Sequence, residues 1–125
     1  MKRSLLAASL FLAQSAWADI PDHLAVKAIV GEGASQSDAA LLAIASAIHN
    51  RGTLHGVYGL NSPVTRTASQ TVWARAEHAW QQAKSGVDAA AGCKFFGNPG
   101  DAPYFLQTLH FKPVKTVGTI TFYQP

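Results

Sequence analysis

The chain has 125 residues, with ten Lys and Arg against seven Asp and Glu, a formal net charge of +3 and 48% hydrophobic residues. That length suits one compact domain and excludes two. The positive residues form no run or stripe, so nucleic acid is not an expected partner, and a lone cysteine, Cys93, excludes an internal disulfide and leaves stability to the packed core.

Residues 1–18 read as an export signal rather than as part of the fold. Met1-Lys2-Arg3 gives a basic start, Leu5 to Ala13 is a short apolar stretch, and Ala16-Trp17-Ala18 supplies small residues at the two positions a signal peptidase reads. Cleavage is expected after Ala18; the alternative is an uncleaved anchor, but the apolar stretch falls short of the roughly 20 residues of an ordinary span. The mature chain, residues 19–125, has 107 residues, and loss of Lys2 and Arg3 lowers the net charge from +3 to +1. It is expected to be exported, periplasmic or secreted, with no stable membrane insertion once the signal is removed.

The first predicted helix covers Leu24 to Glu32. At about 100° per residue, Leu24, Ala25, Ala28 and Ile29 share a face, and Glu32 falls near its middle. A carboxylate held against apolar neighbours favours its protonated form, so its pKa is expected to rise. A proton-bearing Glu near neutral pH is what general acid catalysis of glycoside cleavage requires. The competing reading ends the helix one residue early and points Glu32 to solvent.

A polar turn, Gly33-Ala34-Ser35-Gln36, follows, and Ser37 or Asp38 can cap the next helix. That helix carries Leu41, Ile44, Ala45 and Ile48 at helical spacing and stops near Asn50-Arg51-Gly52, where Gly52 suits a left-handed cap. Residues 53–63 are rich in Gly and Asn and read as a loop. A third helix, capped by Thr67 or Ser69 and running to about Lys84, has a core stripe of Val72, Trp73, Ala76, Ala79, Trp80 and Ala83. Glu77 sits on the border of that stripe, either as a solvated flank residue or as the competitor to Glu32.

Beyond Gly86, Lys94-Phe95-Phe96 is a short β-prone piece, and Asn98-Pro99-Gly100-Asp101-Ala102-Pro103 is a turn cluster. Val114 to Tyr123 reads as a closing strand or a hairpin turning at Gly118. A small α+β domain results, with a helical first half and strands near its C-terminus. Cys93 is expected to be a small buried hydrophobe. His23, His49, His55, His78 and His110 are scattered without metal-ligand pairing, so no metal site is expected.

Three blocks in order resemble the bacterial cell wall hydrolases of the SleB type. Ala28-Ile29-Val30-Gly31-Glu32-Gly33-Ala34, followed by Ala43 to Arg51, is similar to that family's opening helix ending in Gly-Glu-Ala/Ser and second helix ending in Asn-Arg. Asp88 to Pro99 resembles Asp-Pro-Thr-x-Gly-Ala/Cys-x-aromatic-aromatic-x-Asn-Pro with matching internal spacing. Gly118 with Phe122-Tyr123 is similar to the closing Ile-Gly-x-His-x-Phe-Tyr. Several family residues differ here. The second acid that follows the first Glu is absent from Gly33-Ala34-Ser35-Gln36, Ile120 stands for the closing His, Ala89-Ala90 replace Pro-Thr, and the Trp after Asn-Pro is missing.

The resemblance implies a small lysozyme-like or lytic-transglycosylase-like domain that cleaves the bond between N-acetylmuramic acid and N-acetylglucosamine in peptidoglycan glycan strands. Glu32 aligns with the catalytic Glu. A two-carboxylate hydrolase needs a partner acid at about 5–5.5 Å or about 6.5–9.5 Å, for which Glu77, Asp38, Asp88 and Asp101 are the candidates. A lytic transglycosylase needs none, because the muramic acid's 6-hydroxyl and acetamido group complete the reaction. The single-Glu route is therefore the expectation, acting as a monomer and without a cofactor. Phe96, Asn98 and Tyr123 are expected to contact sugar, with Asn98-Pro99 shaping the cleft floor. Asn50 and Arg51 are expected to tie the helix end to the cleft wall, and Asp88 to brace a loop. The alternative is a catalytically degenerate protein of the same fold that binds peptidoglycan or an envelope partner.

Overall fold

Three helices and a three-stranded antiparallel sheet make up the computed structural model, which describes residues 20–97 and 110–125. Residues 1–18, expected to be an export signal, and the 98–103 turn cluster, with Asn98, lie outside these residues. Among the described residues no helix is long and apolar enough to cross a membrane.

Helix α1 (Asp22–Gly33) is the central element. It buries Ala25, Val26, Ala28, Ile29, Val30 and Gly33, so its apolar surface wraps beyond one stripe. Helices α2 (Asp38–Arg51) and α3 (Gln70–Lys84) both pack on it, which is why so few of its residues reach water. Leu24, expected in the core, is only half-buried. The helix continues through Glu32 to Gly33, so the carboxylate stands on the last helical turn.

The caps of the other two helices follow from local chemistry. Ser37 accepts from the Ala40 N–H and Ser69 from the Val72 N–H, each satisfying a first-turn donor that has no helical partner. Gly52 ends α2 at φ +74°, a left-handed conformation that costs glycine little, and its N–H closes on the Ile48 carbonyl. The third stripe buries Ala76, Ala79, Trp80 and Ala83, with Val72 and Trp73 partly covered and Glu77 exposed. Trp80 is 2% exposed, and its indole N–H reaches Asp22 Oδ1 at 2.8 Å, stitching α3 to the start of α1.

Residues 53–63 are more structured than their composition suggests. Tyr58–Asn61 and Pro63–Arg66 each form a 3-10 turn, and both pack on α1. Neither carries an apolar period; their own backbone hydrogen bonds, such as Ser62 N–H to the Gly59 carbonyl, and the contact with α1 define them.

Strands β1 (Phe95–Gly97), β2 (Lys112–Val117) and β3 (Ile120–Gln124) are ordered β1-β3-β2, with the β2–β3 hairpin turning at Gly118-Thr119. Phe95 pairs with Tyr123 and Phe96 with Phe122. Because side chains alternate across a strand, the pairs lie on opposite faces. Ile120 and Phe122 are buried against the helices, and the hairpin is tied back to the α1–α2 turn where Gln36 Nε2 donates to Thr119 Oγ1 at 2.8 Å.

Asp22 and Asp88 both have carboxyls held below the ordinary aspartate value. For Asp22 the causes are the Lys84 ammonium at 2.9 Å, then the Trp80 indole N–H. For Asp88, burial works to raise the value, but the Ala90 N–H, Asn50 and the Gly92 N–H outweigh it, helped by the charge of Lys115. Depressed folded values mean the stabilisation is whole above the unfolded value of about 4 and is lost as pH falls through the folded one. The melting temperature is therefore expected to fall with acidification below about pH 4. Asp88→Asn, which has no proton to gain, is expected to show a shallower decline in melts taken from pH 6 to pH 2.5, roughly the acid limb of stability.

Candidate active site

A backbone approach builds the site. Gly31, on the last turn of α1, lies so close to Gly59 in the first 3-10 turn that a Cβ on Gly31 would stand 1.7 Å from the Gly59 carbonyl oxygen. Seen from the turn, a Cβ on Gly59 would meet the Ala28 carbonyl oxygen at 2.6 Å and the Glu32 nitrogen at 2.7 Å. Two glycines thus let two backbones touch where any side chain would hold them apart. The approach delivers the Gly59 N–H to Glu32 Oε1 at 2.6 Å, a charge-assisted length when the carboxylate is ionised. Glu32 itself is half-buried.

Arg51, the last residue of α2, stands in the same neighbourhood. Its guanidinium donates to the His55 carbonyl oxygen and lies 5.1 Å from the centre of the Phe95 ring, a cation–π arrangement. Burial lowers its pKa, while the negative charge of Glu32, and to a lesser degree Tyr58, works to raise it. An arginine remains cationic throughout the ordinary pH range. Its charge favours the ionised form of Glu32, opposite in sign to the desolvation argument from the apolar helix face. Tyr58, next to Gly59, is 75% exposed.

Asn50 and Asp88 come together on the far side of the α2 terminus. Asn50 Nδ2 donates to Asp88 Oδ1 and to the Cys93 carbonyl oxygen, both at 3.2 Å. Asp88 in turn accepts from Ala90 N at 2.9 Å and from Gly92 N at 2.8 Å, closing the 88–92 turn around its carboxylate. Ser46, one helical turn before Asn50, pins the same segment: its hydroxyl oxygen accepts from Ala89 N at 3.0 Å and lies 2.8 Å from the Leu42 carbonyl. Cys93 follows, fully buried, with its thiol pushed up mainly by burial. This clamp carries the chain into β1 and sets Phe95 under Arg51. Asn50→Ala leaves the Cys93 carbonyl and Asp88 short of a donor, and is expected to cost about 1 kcal/mol in urea denaturation.

The aromatic candidates divide. Phe96 shares the sheet face of buried Phe122, with ring centres 5.9 Å apart, whereas Tyr123 shares the face of Phe95 and is half-buried. Phe95 also meets Phe111, with ring centres 4.7 Å apart and planes tilted by 49°.

Among the described residues the other acids are engaged elsewhere or exposed. Asp22 binds Trp80 and Lys84, Asp38 pairs with Arg75, Asp88 closes its turn, and Glu77 is exposed on α3. Asp101 lies outside the described residues. Among the described residues no group of His, Cys, Asp and Glu could hold a metal ion.

Gly59 and Tyr58 carry no sequence signal for the site, and Gly31, Ser46 and Phe95 enter the sequence reading only as parts of longer blocks, without a role of their own. The recoverable signal was the pairing of Ser46 with Asn50 at i, i+4, which puts both on one helix face. The meeting of Gly31 and Gly59 had no local signature.

No protein-family model matches the chain, and no curated protein matches it. Among solved structures, the chain is similar to the catalytic domain of the germination-specific lytic transglycosylase SleB from Bacillus anthracis. The TM-score is 0.63 at 21% identity, over 82% of this chain and 93% of that one. It is also similar to the catalytic domain of the Bacillus cereus SleB protein, with a TM-score of 0.61 at 21% identity, over 82% of this chain and 88% of that one. At that identity the likeness speaks to architecture: the chain shares the fold of those two SleB domains.

Proposed function

We propose that this protein cleaves peptidoglycan glycan strands between N-acetylmuramic acid and N-acetylglucosamine, with Glu32 as its single general acid and base. The observation that carries this reading is the 2.6 Å contact from the Gly59 N–H to a half-buried Glu32, on the last turn of the central helix of a SleB-like fold. Protonated Glu32 gives its proton to the glycosidic oxygen as the bond to the muramic acid C1 breaks. The electron pair leaves with the N-acetylglucosamine oxygen, and the acetamido group supports the electron-poor C1. The carboxylate then takes the proton of the 6-hydroxyl as that oxygen closes on C1, giving a 1,6-anhydro sugar and restoring the acid.

The lytic route is preferred to hydrolysis in this reading because, among the described residues, Asp22, Asp38 and Asp88 bind other partners and Glu77 is exposed on α3. No cofactor enters this scheme. Tyr123, with Phe95 on the same sheet face, is suited to pack on a pyranose ring; Phe96 and Asn98 belong to the same proposed sugar-binding set. Export under the 1–18 signal and action as a monomer complete the reading.

Mass spectrometry of soluble fragments from purified sacculi tests it. Anhydro-muropeptides are expected. Reducing-end muropeptides would replace the lytic route with hydrolysis and turn attention to Glu77. Capture of sacculi without released fragments would favour the degenerate binding protein, for which the observation is that Gln36 occupies the place of the second acid and braces the hairpin instead.

A further inference from the structure

We infer that the Gly59 N–H is a positioning group that sorts the two oxygens of Glu32, keeping Oε1 as an acceptor so that the catalytic proton rides on Oε2; this rests on the proposed role of Glu32 as acid. In a carboxylic acid the carbonyl oxygen is a stronger acceptor than the hydroxyl oxygen. An N–H held at Oε1, here at 2.6 Å, therefore favours Oε1 as the carbonyl oxygen and Oε2 as the proton carrier. The donor is fixed by backbone rather than by a rotatable side chain. The Gly31–Gly59 approach leaves the turn no room to slide, and Val57 N–H to Leu54 and Ser62 N–H to Gly59 close it on either side.

The consequence is directional. Proton donation from Oε2 to the glycosidic oxygen leaves charge on the carboxylate, and the contact to Oε1 strengthens as that charge forms. When the 6-hydroxyl returns its proton, the same contact sends it back to Oε2. Glu32 thus keeps one working oxygen through both halves of the cycle. Among the described residues, the neighbouring ionisable groups include Arg51 from α2, acting on Glu32 by charge, Tyr58 on the turn itself, and His55, whose carbonyl holds Arg51. Arg66 on the second turn and Glu77 on α3 are exposed.

The test is an NMR pH titration of the mature protein, following the Gly59 amide proton and the Glu32 side-chain carboxyl carbon together. The Gly59 amide is expected to move downfield with the same midpoint as Glu32, and that movement is expected to vanish in Glu32→Gln. An amide that stays flat through the Glu32 midpoint, or that still titrates in the Gln variant with the wild-type midpoint, would overturn the assignment. This readout needs no substrate, so it stands apart from whether sacculi are cleaved. A second arm replaces the Gly59 amide with an ester by semisynthesis. Losing a hydrogen bond to the charged form is expected to move the descending limb of the pH–rate profile up by about one to two pH units. An unmoved limb in the folded ester variant would also overturn it, and the titration decides alone if that variant does not refold.

Discussion

Replacing Glu32 with Gln is expected to lower fragment release from sacculi by about 10²–10⁴-fold, the usual contribution of a general acid, while thermal unfolding stays nearly unchanged. The two halves of that expectation come from different atoms. Gln keeps a carbonyl oxygen where Oε1 now accepts the Gly59 N–H at 2.6 Å, so the contact between α1 and the 3-10 turn survives. What Gln lacks is a proton it can give up. The neutral amide also removes a charge beside the Arg51 guanidinium, which stays held by the His55 carbonyl and the Phe95 ring. Glu32→Asp gives an internal check. Its carboxyl is one methylene nearer the helix and cannot hold the same position against the Gly59 N–H. Activity is expected to drop there too, although an acid is present. Full activity in Glu32→Gln would take this residue out of the mechanism.

The parts of this fold legible in the sequence are those written locally. Ser37 and Ser69 before apolar periods, and Gly52 after one, mark α2 and α3 because capping is satisfied within four residues. Glu32 stood out because it interrupts an apolar helix. The partners of that carboxylate were hidden for the opposite reason. Gly59 lies 27 residues further along the chain, in a segment with no period, and nothing local says that it meets Gly31. Asp88 looked like a brace from its loop setting. Its attachment to Asn50 and Ser46 depends on how the segment after α3 folds back over α2. Phe95 and Phe96 are adjacent in sequence but separated by the pleat. Only the register with β3 reveals that Phe95 faces Arg51 and Phe96 the buried Phe122. Ile120 is 1% exposed and belongs to the core, a place where an imidazole would need a polar partner.

Gly31→Ala carries the largest expected structural effect, and helix propensity predicts its sign wrongly. Alanine is favoured over glycine in a helix interior by about 0.8–1.0 kcal/mol, so on propensity alone the change stabilises α1. Against this, the new methyl would lie 1.7 Å from the Gly59 carbonyl oxygen and 2.4 Å from its carbonyl carbon. Both are backbone atoms, so no rotamer change relieves the overlap, and the turn must move off the helix. Overpacking of this kind typically costs about 1–3 kcal/mol, and displacing Gly59 also removes its hydrogen bond to Glu32. The net expectation is destabilisation, together with a loss of fragment release larger than the unfolded fraction explains. Gly33→Ala separates the two causes. There the added carbon meets Ile44 Cδ1 at 2.8 Å and Leu41 Cδ2 at 2.9 Å, side-chain ends that can shift without moving the turn. Urea denaturation of the pair is expected to place Gly31→Ala well below Gly33→Ala, with the Gly33 variant keeping most of its activity. Equal stability and equal activity in the two variants would mean that the approach of Gly31 to Gly59 does not hold the carboxylate in place.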